Sequence, residues 1–376
     1  MIPPGSTLGL LGGGQLGRMF AARARSMGYQ VWVLDPDLAS PAGRMADRHL
    51  AAAYTDAGAL DELAAGCRVV TTEFENVPAE ALERLAPRVQ VWPPPRAVAI
   101  AQDRLREKQF LREHGLPTTR FAPVEREEDI QPAWKAVGGP ALMKTSRLGY
   151  DGKGQASVMS PGEAREAFAR FGVACVLERR LDLEGELSVV LARSQGRRIA
   201  AYPAGENRHV DGVLDSTVVP ASFGEPLREE AARMARRVAD ALDYVGVLGV
   251  ELFVANGGRL YINELAPRPH NSGHYTQDAC VTCQFEQQVR AICGLPLGST
   301  ALLSPVAMVN LLGELWADGE PRWERALEDP AARLHLYGKT APRPGRKMGH
   351  LNLLAATPGE ALQRARDARA ALTSRP

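Results

Sequence analysis

Short apolar runs separated by amphipathic stretches set the rhythm of the first hundred residues. Thr7–Leu11, Val31–Leu34, Val69–Thr72 and Val89–Trp92 are compact apolar runs of strand length. Such runs predict strands of a buried parallel sheet. Between the first two, the pattern predicts a helix through Met27. The result is a small α/β sheet of about four clear strands. Pro93–Pro95 closes it, because successive prolines continue neither sheet nor helix. "AQDRLREKQFLREHGLP" (101–117) predicts a helix stopped by Gly115 and Pro117. From there to about residue 300 the pattern mixes both elements. Strands are predicted at Ala141–Thr145, Ala174–Glu178, Leu187–Ala192, Val247–Val254 and Leu260–Asn263, with a helix over Glu229–Leu242. "CGLPLGST" (293–300) reads as a boundary. Beyond it lie strands near Ala307–Leu312 and Leu334–Tyr337, then an Ala/Arg-rich helix over 358–373. The reading divides the chain into 1–100, 101–300 and 301–376, without internal repeats.

Composition narrows the class without naming a function. The chain has 376 residues, 45% apolar and 24% charged, with a net charge of +1. Those are ordinary values for a globular chain of two or three domains. A near-zero net charge gives no field that would draw the chain to nucleic acid or a membrane surface. No stretch reaches the ~18–20 apolar residues of a membrane span. "MIPPGST" lacks the charged and apolar regions of a signal peptide. Five cysteines suggest reduced thiols, hence a cytoplasmic location. Cys280 and Cys283 form a lone C-x-x-C with no further ligand pair at zinc spacing, and packed thiols are expected.

Gly12, Gly14 and Gly17 spell G-x-G-x-x-G between a predicted strand and helix, the form of a dinucleotide-binding turn. Two features argue against a nicotinamide dinucleotide. The sheet is too short, and "TTEFENV" sets Glu73 and Glu75 at the carboxyl end of a strand, where they would repel a pyrophosphate. A small phosphosugar or plain helix–strand packing suits the glycines better.

Asn256-Gly257-Gly258 signals a hairpin between two β-rich runs. A two-residue Gly257–Gly258 turn would pair Glu251 with Glu264, whose Cβ atoms would then lie ~4.5–5.5 Å apart. Two carboxylates so close call for a cation, and oxygen ligands with phosphates suit Mg²⁺. Asn263 adds a neutral oxygen. Earlier, Lys144 lies on a predicted strand, and Gly149, Gly152 and Gly154 follow in a loop suited to a phosphate lid. It is not a Walker A loop. Glu178 ends another strand, with Glu186 eight residues on. His270 and His274 form H-x-x-x-H, but Pro267, Pro269 and Gly273 argue against the helix a zinc pair needs.

A strand lysine, a Gly-rich lid, a Glu-bearing connection and a Glu/Asn-Glu hairpin, in that order, resemble the ATP-grasp superfamily. "TTEFENV", "QDRLREKQFL", "GYDGKGQ" and "NELAPRPHNSGHYT", with the N-terminal glycines, resemble its N5-carboxyaminoimidazole ribonucleotide synthetase family over Gly12 to about Leu354. The resemblance implies an α/β and α+β ATP-grasp architecture: an N-terminal Rossmann-like half domain, a central ATP-grasp domain and a small C-terminal β-rich domain. It implies ATP with Mg²⁺ or Mn²⁺. Arg104, Lys144 and the lid Gly149, Tyr150, Asp151, Gly152, Lys153, Gly154 and Gln155 would meet phosphates. Glu178, Arg179, Arg180 and Leu181 would flank adenine, Glu186 the ribose, and His209 the nucleotide. Glu251 and Glu264 would carry the metal, with Asn263 beside them. Gly14, Gln15, Leu16, Glu73, Asn76, Lys339, Arg346 and Lys347 would bind aminoimidazole ribonucleotide. Tyr150, Arg268 and Lys347 would hold the carbonate-derived group, with His274 orienting it or relaying protons. The implied reaction is ATP- and bicarbonate-dependent carboxylation through carboxyphosphate, in purine biosynthesis, by a homodimer. A formate-dependent glycinamide ribonucleotide transformylase shares the lid and basic loop, but "HNSGHYT" favours the carboxylating enzyme. A biotin-dependent carboxylase is longer. A dehydrogenase using the glycine turn is a rival of another class, which thermal protection by NADH and not by Mg-ATP would support, and the Lys144, Glu251 and Glu264 set argues against an inactive nucleotide-binding regulator.

Overall fold

The computed structural model describes residues 1–149 and 154–373. Three sheets organise them. The first joins β1 (Thr7–Leu11), β2 (Gln30–Leu34), β3 (Arg48–Leu50), β4 (Val69–Thr72) and β5 (Gln90–Val91), all parallel, in the order β3-β2-β1-β4-β5. The helix Gln15–Ser26 leaves the end of β1 and packs on one face. The order doubles back at β1, so β1 and β4 open a crevice at their carboxyl ends, where α/β sheets place ligands. The sequence pattern missed β3, three residues whose Arg-His-Leu pattern gives no apolar run.

The second sheet contains β6 (Phe121–Val124), β7 (Ala141–Thr145), β8 (Gln155–Val158) and β9 (Cys175–Arg179), antiparallel, in the order β6-β9-β7-β8. The third is the largest. It holds β10 (Leu183–Arg193), β11 (Ile199–Ala201), β12 (Gly205–Val210), β13 (Val213–Val219), β14 (Gly246–Ala255), β15 (Arg259–Ala266), β16 (Val306–Leu312), β17 (Ala332–Leu336) and β18 (Lys347–Leu354). Their order is β15-β14-β10-β12-β13-β16-β18-β17, with β11 beside β10. The strands beyond residue 301 therefore extend the sheet that carries the 246–266 hairpin, through the β13–β16 pairing. Their own apolar cluster packs Val309, Leu311, Leu351 and Leu353 under the helix Pro358–Ala371.

Alternation along the large sheet separates its two faces. Leu187, Val189, Val250, Leu252, Val254, Leu260, Ile262 and Leu265 point one way and pack against the helix Glu225–Ala241. Each fully buried side chain of this kind contributes about 1.5–3 kcal/mol. The residues between them point the other way. Because directly paired residues share a face, Glu186, Ser188, Asn207, Glu251 and Glu264 fall together on that opposite side. The hydrophobic core thus fixes the register of a polar face. All five cysteines are free and buried. No helix among the described residues is long and apolar enough to cross a membrane.

Candidate active site

The hairpin supplies the centre. Glu251 and Glu264 pair directly across β14 and β15. The route to that pairing differs from the expected two-residue turn. Ala255 pairs with Arg259, so the turn holds three residues, with Gly257 and Gly258 at φ +82° and +69°. Glycine takes that left-handed geometry without Cβ strain. The shorter register runs to Leu252–Ile262, then a β-bulge at Asn263 inserts one residue and restores Glu251 opposite Glu264. Adjacent residues of a regular strand face opposite ways. Here Ile262 and Leu265 both enter the core, and Asn263 and Glu264 both turn to the polar face.

Cations gather around these oxygens. Arg104, opening the helix Arg104–Glu113, donates to Glu264 Oε2 at 3.1 Å. Lys144, buried in β7, donates to Glu178 Oε2 at 3.1 Å and reaches Asn263 Oδ1 at 3.5 Å. Lys108 lies 3.4 Å from the same Glu178 oxygen. Burial would raise the Glu178 carboxyl, but Lys108, Lys144 and Arg104 outweigh it and hold it at about 2. Burial lowers the Lys144 ammonium from its ordinary value, with Glu178 opposing that fall. Glu251 is pushed up to about 7, first by burial and then by the charge of Glu264. The facing carboxylates therefore carry electrostatic strain that a cation would relieve.

Glu186 and His209 form a second contact on this face, with Nδ1 to Oε2 at 2.5 Å. Burial lowers the His209 imidazole, but the Glu186 hydrogen bond and the Glu251 charge outweigh it and raise it overall. Arg179 and Arg180 continue from Glu178 at the end of β9. Their backbone N–H groups donate to Arg120 and Pro140 carbonyls at 2.8 and 2.9 Å. Leu181 is half-buried beyond them, Gly149 follows β7 by four residues, and Gly154 and Gln155 lead into β8. Tyr150, Asp151, Gly152 and Lys153 lie outside the described residues.

The loop after β15 brings the N-terminal sheet into the same site. Arg268 donates from Nε to Glu75 Oε2, tying 268 to the segment after β4. Burial raises the Glu75 carboxyl, but Arg268 outweighs it and lowers it overall. Asn76 is half-buried next in the chain. Glu73 has a different place from the open contact expected of it. It is buried, and its two oxygens accept from Gly14 N at 2.8 Å and Gly17 N at 2.9 Å. Those N–H groups belong to the start of the helix Gln15–Ser26, where a dinucleotide would set its pyrophosphate. Asp35, which could take a ribose, accepts from Gly13 N at 2.7 Å and Tyr54 Oη at 2.6 Å. The protein's own carboxylates fill both positions, which excludes the dinucleotide reading of the glycine turn. Gln15 and Leu16 begin the helix beside Gly14.

The basic loop between β17 and β18 completes the cluster. Lys339 Nζ donates to Lys347 O at 2.8 Å, and Arg346 donates to Ala341 O at 2.8 Å. Lys347 opens β18, and its charge acts on Glu75, Glu251 and His270.

His274 sits behind that cluster, within the electrostatic reach of Lys347 and Arg268, and its Nε2 is buried without a partner among the described residues. Its ring is fully buried, stacked on His350 at 4.7 Å, with Gln284 Nε2 3.2 Å from Nδ1. Burial holds its pKa well below the ordinary value, so it is neutral. The imidazole that meets the site is His270, which the sequence reading weighed only as a zinc ligand. His270 Nε2 lies 3.3 Å from Glu251 Oε1. Its Nδ1 accepts from Ser272 N at 3.3 Å, so Nε2 carries the proton toward Glu251.

Three family models cover this arrangement in order. Residues 6–102 match a ribonucleotide synthetase pre-ATP-grasp domain, 109–285 an ATP-grasp domain, and 306–364 a phosphoribosylaminoimidazole carboxylase C-terminal domain. An N5-carboxyaminoimidazole ribonucleotide synthase from Brucella melitensis is 46% identical over 93% of this chain and 96% of its own. The chain belongs to the N5-carboxyaminoimidazole ribonucleotide synthase family. It is an ATP-grasp ligase with the three-part architecture of that family. The N5-carboxyaminoimidazole synthetase from Staphylococcus aureus, complexed with ADP, superposes with a TM-score of 0.92 at 35% identity, covering 98% of each chain. The Aspergillus clavatus enzyme, in complex with ADP and 5-aminoimidazole ribonucleotide, gives 0.90 at 31% identity, again over 98% of each.

Proposed function

We propose that this ligase uses ATP to carboxylate the exocyclic amine of 5-aminoimidazole ribonucleotide with bicarbonate, in purine biosynthesis. The observation that carries the site assignment is the convergence of Glu251, Glu264, Arg104, Lys144 and Lys347 on one polar face. Bicarbonate oxygen attacks the γ-phosphorus, the bond to the β-phosphate oxygen breaks, and ADP leaves. The resulting carboxyphosphate splits into CO₂ and phosphate. The substrate amine then forms a C–N bond to CO₂ and loses a proton.

Arg104 and Lys144 would hold the phosphates, and charge-assisted contacts of this kind offset the negative charge on the transferring oxygens. Glu178 Oε1 is buried without a partner among the described residues. It fits an amino donor on the nucleotide base, with Arg179, Arg180 and Leu181 beside it. Glu186 and His209 would take the ribose side. Among the described residues, no cluster of three or more His, Cys, Asp or Glu side chains could hold a metal alone. Glu251 and Glu264 would therefore hold Mg²⁺ or Mn²⁺ jointly with nucleotide oxygens, beside Asn263, as is usual for this ion. When bound, the ion would neutralise phosphate charge and fix phosphate geometry.

Gly14, Gln15, Leu16 and Asn76 would line the ribonucleotide, with Lys339, Arg346 and Lys347 on its phosphate. Glu73 would shape that wall through the glycine turn. Arg268 and Lys347 would hold the carbonate-derived group, with Tyr150 from the lid. His270, in the place first given to His274, is the imidazole set to orient it. A closed lid would keep carboxyphosphate from water. We also infer a homodimer in the cytoplasm, and within each chain three domains divided near residues 100 and 300. Five free thiols support a reducing compartment. The test is ADP release with aminoimidazole ribonucleotide and bicarbonate each omitted in turn. Full turnover should need both, and formate should not replace bicarbonate. Turnover with formate would support the transformylase reading instead.

A further inference from the structure

The bulge at Asn263 is central to the site and awkward for the backbone. β15 is the edge strand of its sheet, so its outer N–H and C=O groups have no neighbouring strand. A bulge adds a residue that the ladder leaves unpaired. Buried backbone groups need partners, or each costs as much as a lost hydrogen bond.

Two adjacent side chains of the helix Arg104–Glu113 supply those partners. Lys108 is fully buried, and its Nζ donates to Asn263 O at 3.0 Å and to Thr118 Oγ1 at 3.0 Å. Glu107 is buried beside it, and its Oε1 accepts from Leu265 N at 2.6 Å. The carbonyl just before Glu264 and the amide just after it are thus held by consecutive residues of one helix. The linker seals the next stretch of the same edge. Pro117 O accepts from Ile262 N at 2.8 Å, and Thr118 Oγ1 donates to Ile262 O at 2.9 Å. Lys108 also pairs with Glu178, so it ties the bulge to β9 of the second sheet.

We propose that Glu107 and Lys108 are positioning residues that splint the β-bulge, so that Asn263 and Glu264 face the nucleotide together. The inference rests on the proposed role of Glu251 and Glu264. Glu107 meets the site only through the Leu265 amide, whereas Lys108 also touches Glu178, so Glu107→Leu is the cleaner test of the splint. Burying a carboxyl and an ammonium is costly, and burial pushes the Glu107 carboxyl up to about 8. Their use here is geometric: an apolar pair could cover the edge but could not satisfy a carbonyl and an amide on either side of Glu264.

The experiment uses the full chain with Glu107→Leu, Glu107→Gln and Lys108→Met. Amide hydrogen exchange is followed for residues 259–266, Mg·ADP affinity by calorimetry, and turnover by ADP release. Glutamine keeps an oxygen acceptor for Leu265 N, so Glu107→Gln should stay within about twofold of the parent. Glu107→Leu and Lys108→Met should speed exchange at 263–265 by about tenfold or more, as expected for losing one buried hydrogen bond. They should weaken Mg·ADP by about the same factor and lower kcat, with KM for the ribonucleotide unchanged. Folded leucine and methionine variants with parental exchange and Mg·ADP affinity would overturn the splint, as would equal damage from glutamine. The parent chain gives a reading that needs no variant. Leu265 N–H should be strongly protected on its outer edge, and fast exchange there would refute the proposal. Glu264→Gln separates the two ideas. Unchanged Mg·ADP affinity in that variant would sink the metal reading, while the exchange results would still judge the splint.

Discussion

Replacing Gly249 with alanine tests whether His270 must stay against Glu251. Gly249 lies in β14, and a Cβ there would sit 2.8 Å from His270 Cβ, 3.0 Å from its Cγ and 3.4 Å from Ala266 Cβ. Unstrained carbon contacts are ~3.5–4.0 Å, so His270 must retreat by roughly 0.7–1.2 Å. The Nε2–Glu251 distance of 3.3 Å would then exceed hydrogen-bond reach. Overpacking of this size costs about 1–3 kcal/mol, a fall of a few degrees in Tm for a chain this long. A displacement near 1 Å in a catalytic arrangement can cost about a hundredfold in rate. The two readouts should therefore separate. Thermal unfolding should shift slightly, while kcat, measured by ADP release at saturating substrates, should fall by about two orders of magnitude. His270→Asn should lower kcat similarly, and the double variant should be no worse than either single one, because both act on the same contact. A folded Gly249→Ala enzyme with kcat within twofold of the parent would refute the reasoning. Fully additive losses would do so as well.

Glu178→Gln should destabilise the fold by about 3–5 kcal/mol, because it strands Lys108 and Lys144 in the interior. Its pH dependence has a definite sign. The folded Glu178 pKa of about 2 lies below the ordinary glutamate value, so its stabilisation is present above about pH 4.3 and is lost as pH falls toward 2. Urea unfolding of parent and variant should show a gap at pH 7 that narrows near pH 3, and a constant gap would count against the assignment. Lys347→Ala should raise KM for the ribonucleotide several-fold with KM for ATP nearly unchanged. An unaltered ribonucleotide response would remove Lys347 from the site. Glu264→Gln should abolish turnover with the far-ultraviolet spectrum intact, and near-normal activity would contradict the metal role.

Much of this site was legible in the residues, and the exceptions have physical causes. The strands over Thr7–Leu11 and Val69–Thr72 stand where the apolar runs predict them, because burial on both faces leaves a continuous signal, and Ala141–Thr145 does so with Ala141 and Met143 in the core and Lys144 turned to the site. The facing of Glu251 and Glu264 was legible too, although the turn is one residue longer than expected and the bulge compensates. The spacing of core residues carried that information. Leu260 and Ile262 are two apart, but the next core residue, Leu265, comes three later. That extra step marks two consecutive residues on one face. Strands β12, β13 and β18 escaped notice because their site-facing or buried positions are polar, as with Asn207, Thr217, His350 and Asn352. Such positions erase the alternation on which a strand reading depends. His270 was missed for another reason. Nothing local distinguishes it from His274, and only the gap above Gly249 shows which ring reaches Glu251. Likewise, no spacing rule tells whether Glu73 is free or is consumed by the amides of Gly14 and Gly17.

A crystal structure of the enzyme with Mg²⁺ and a non-hydrolysable ATP analogue tests the central claim most directly. The ion should join the terminal phosphates to Glu251 and Glu264, at ~2.0–2.1 Å from a carboxylate oxygen of each. An ion bound to the phosphates with both glutamates turned away, or a nucleotide seated far from Lys144, would contradict it.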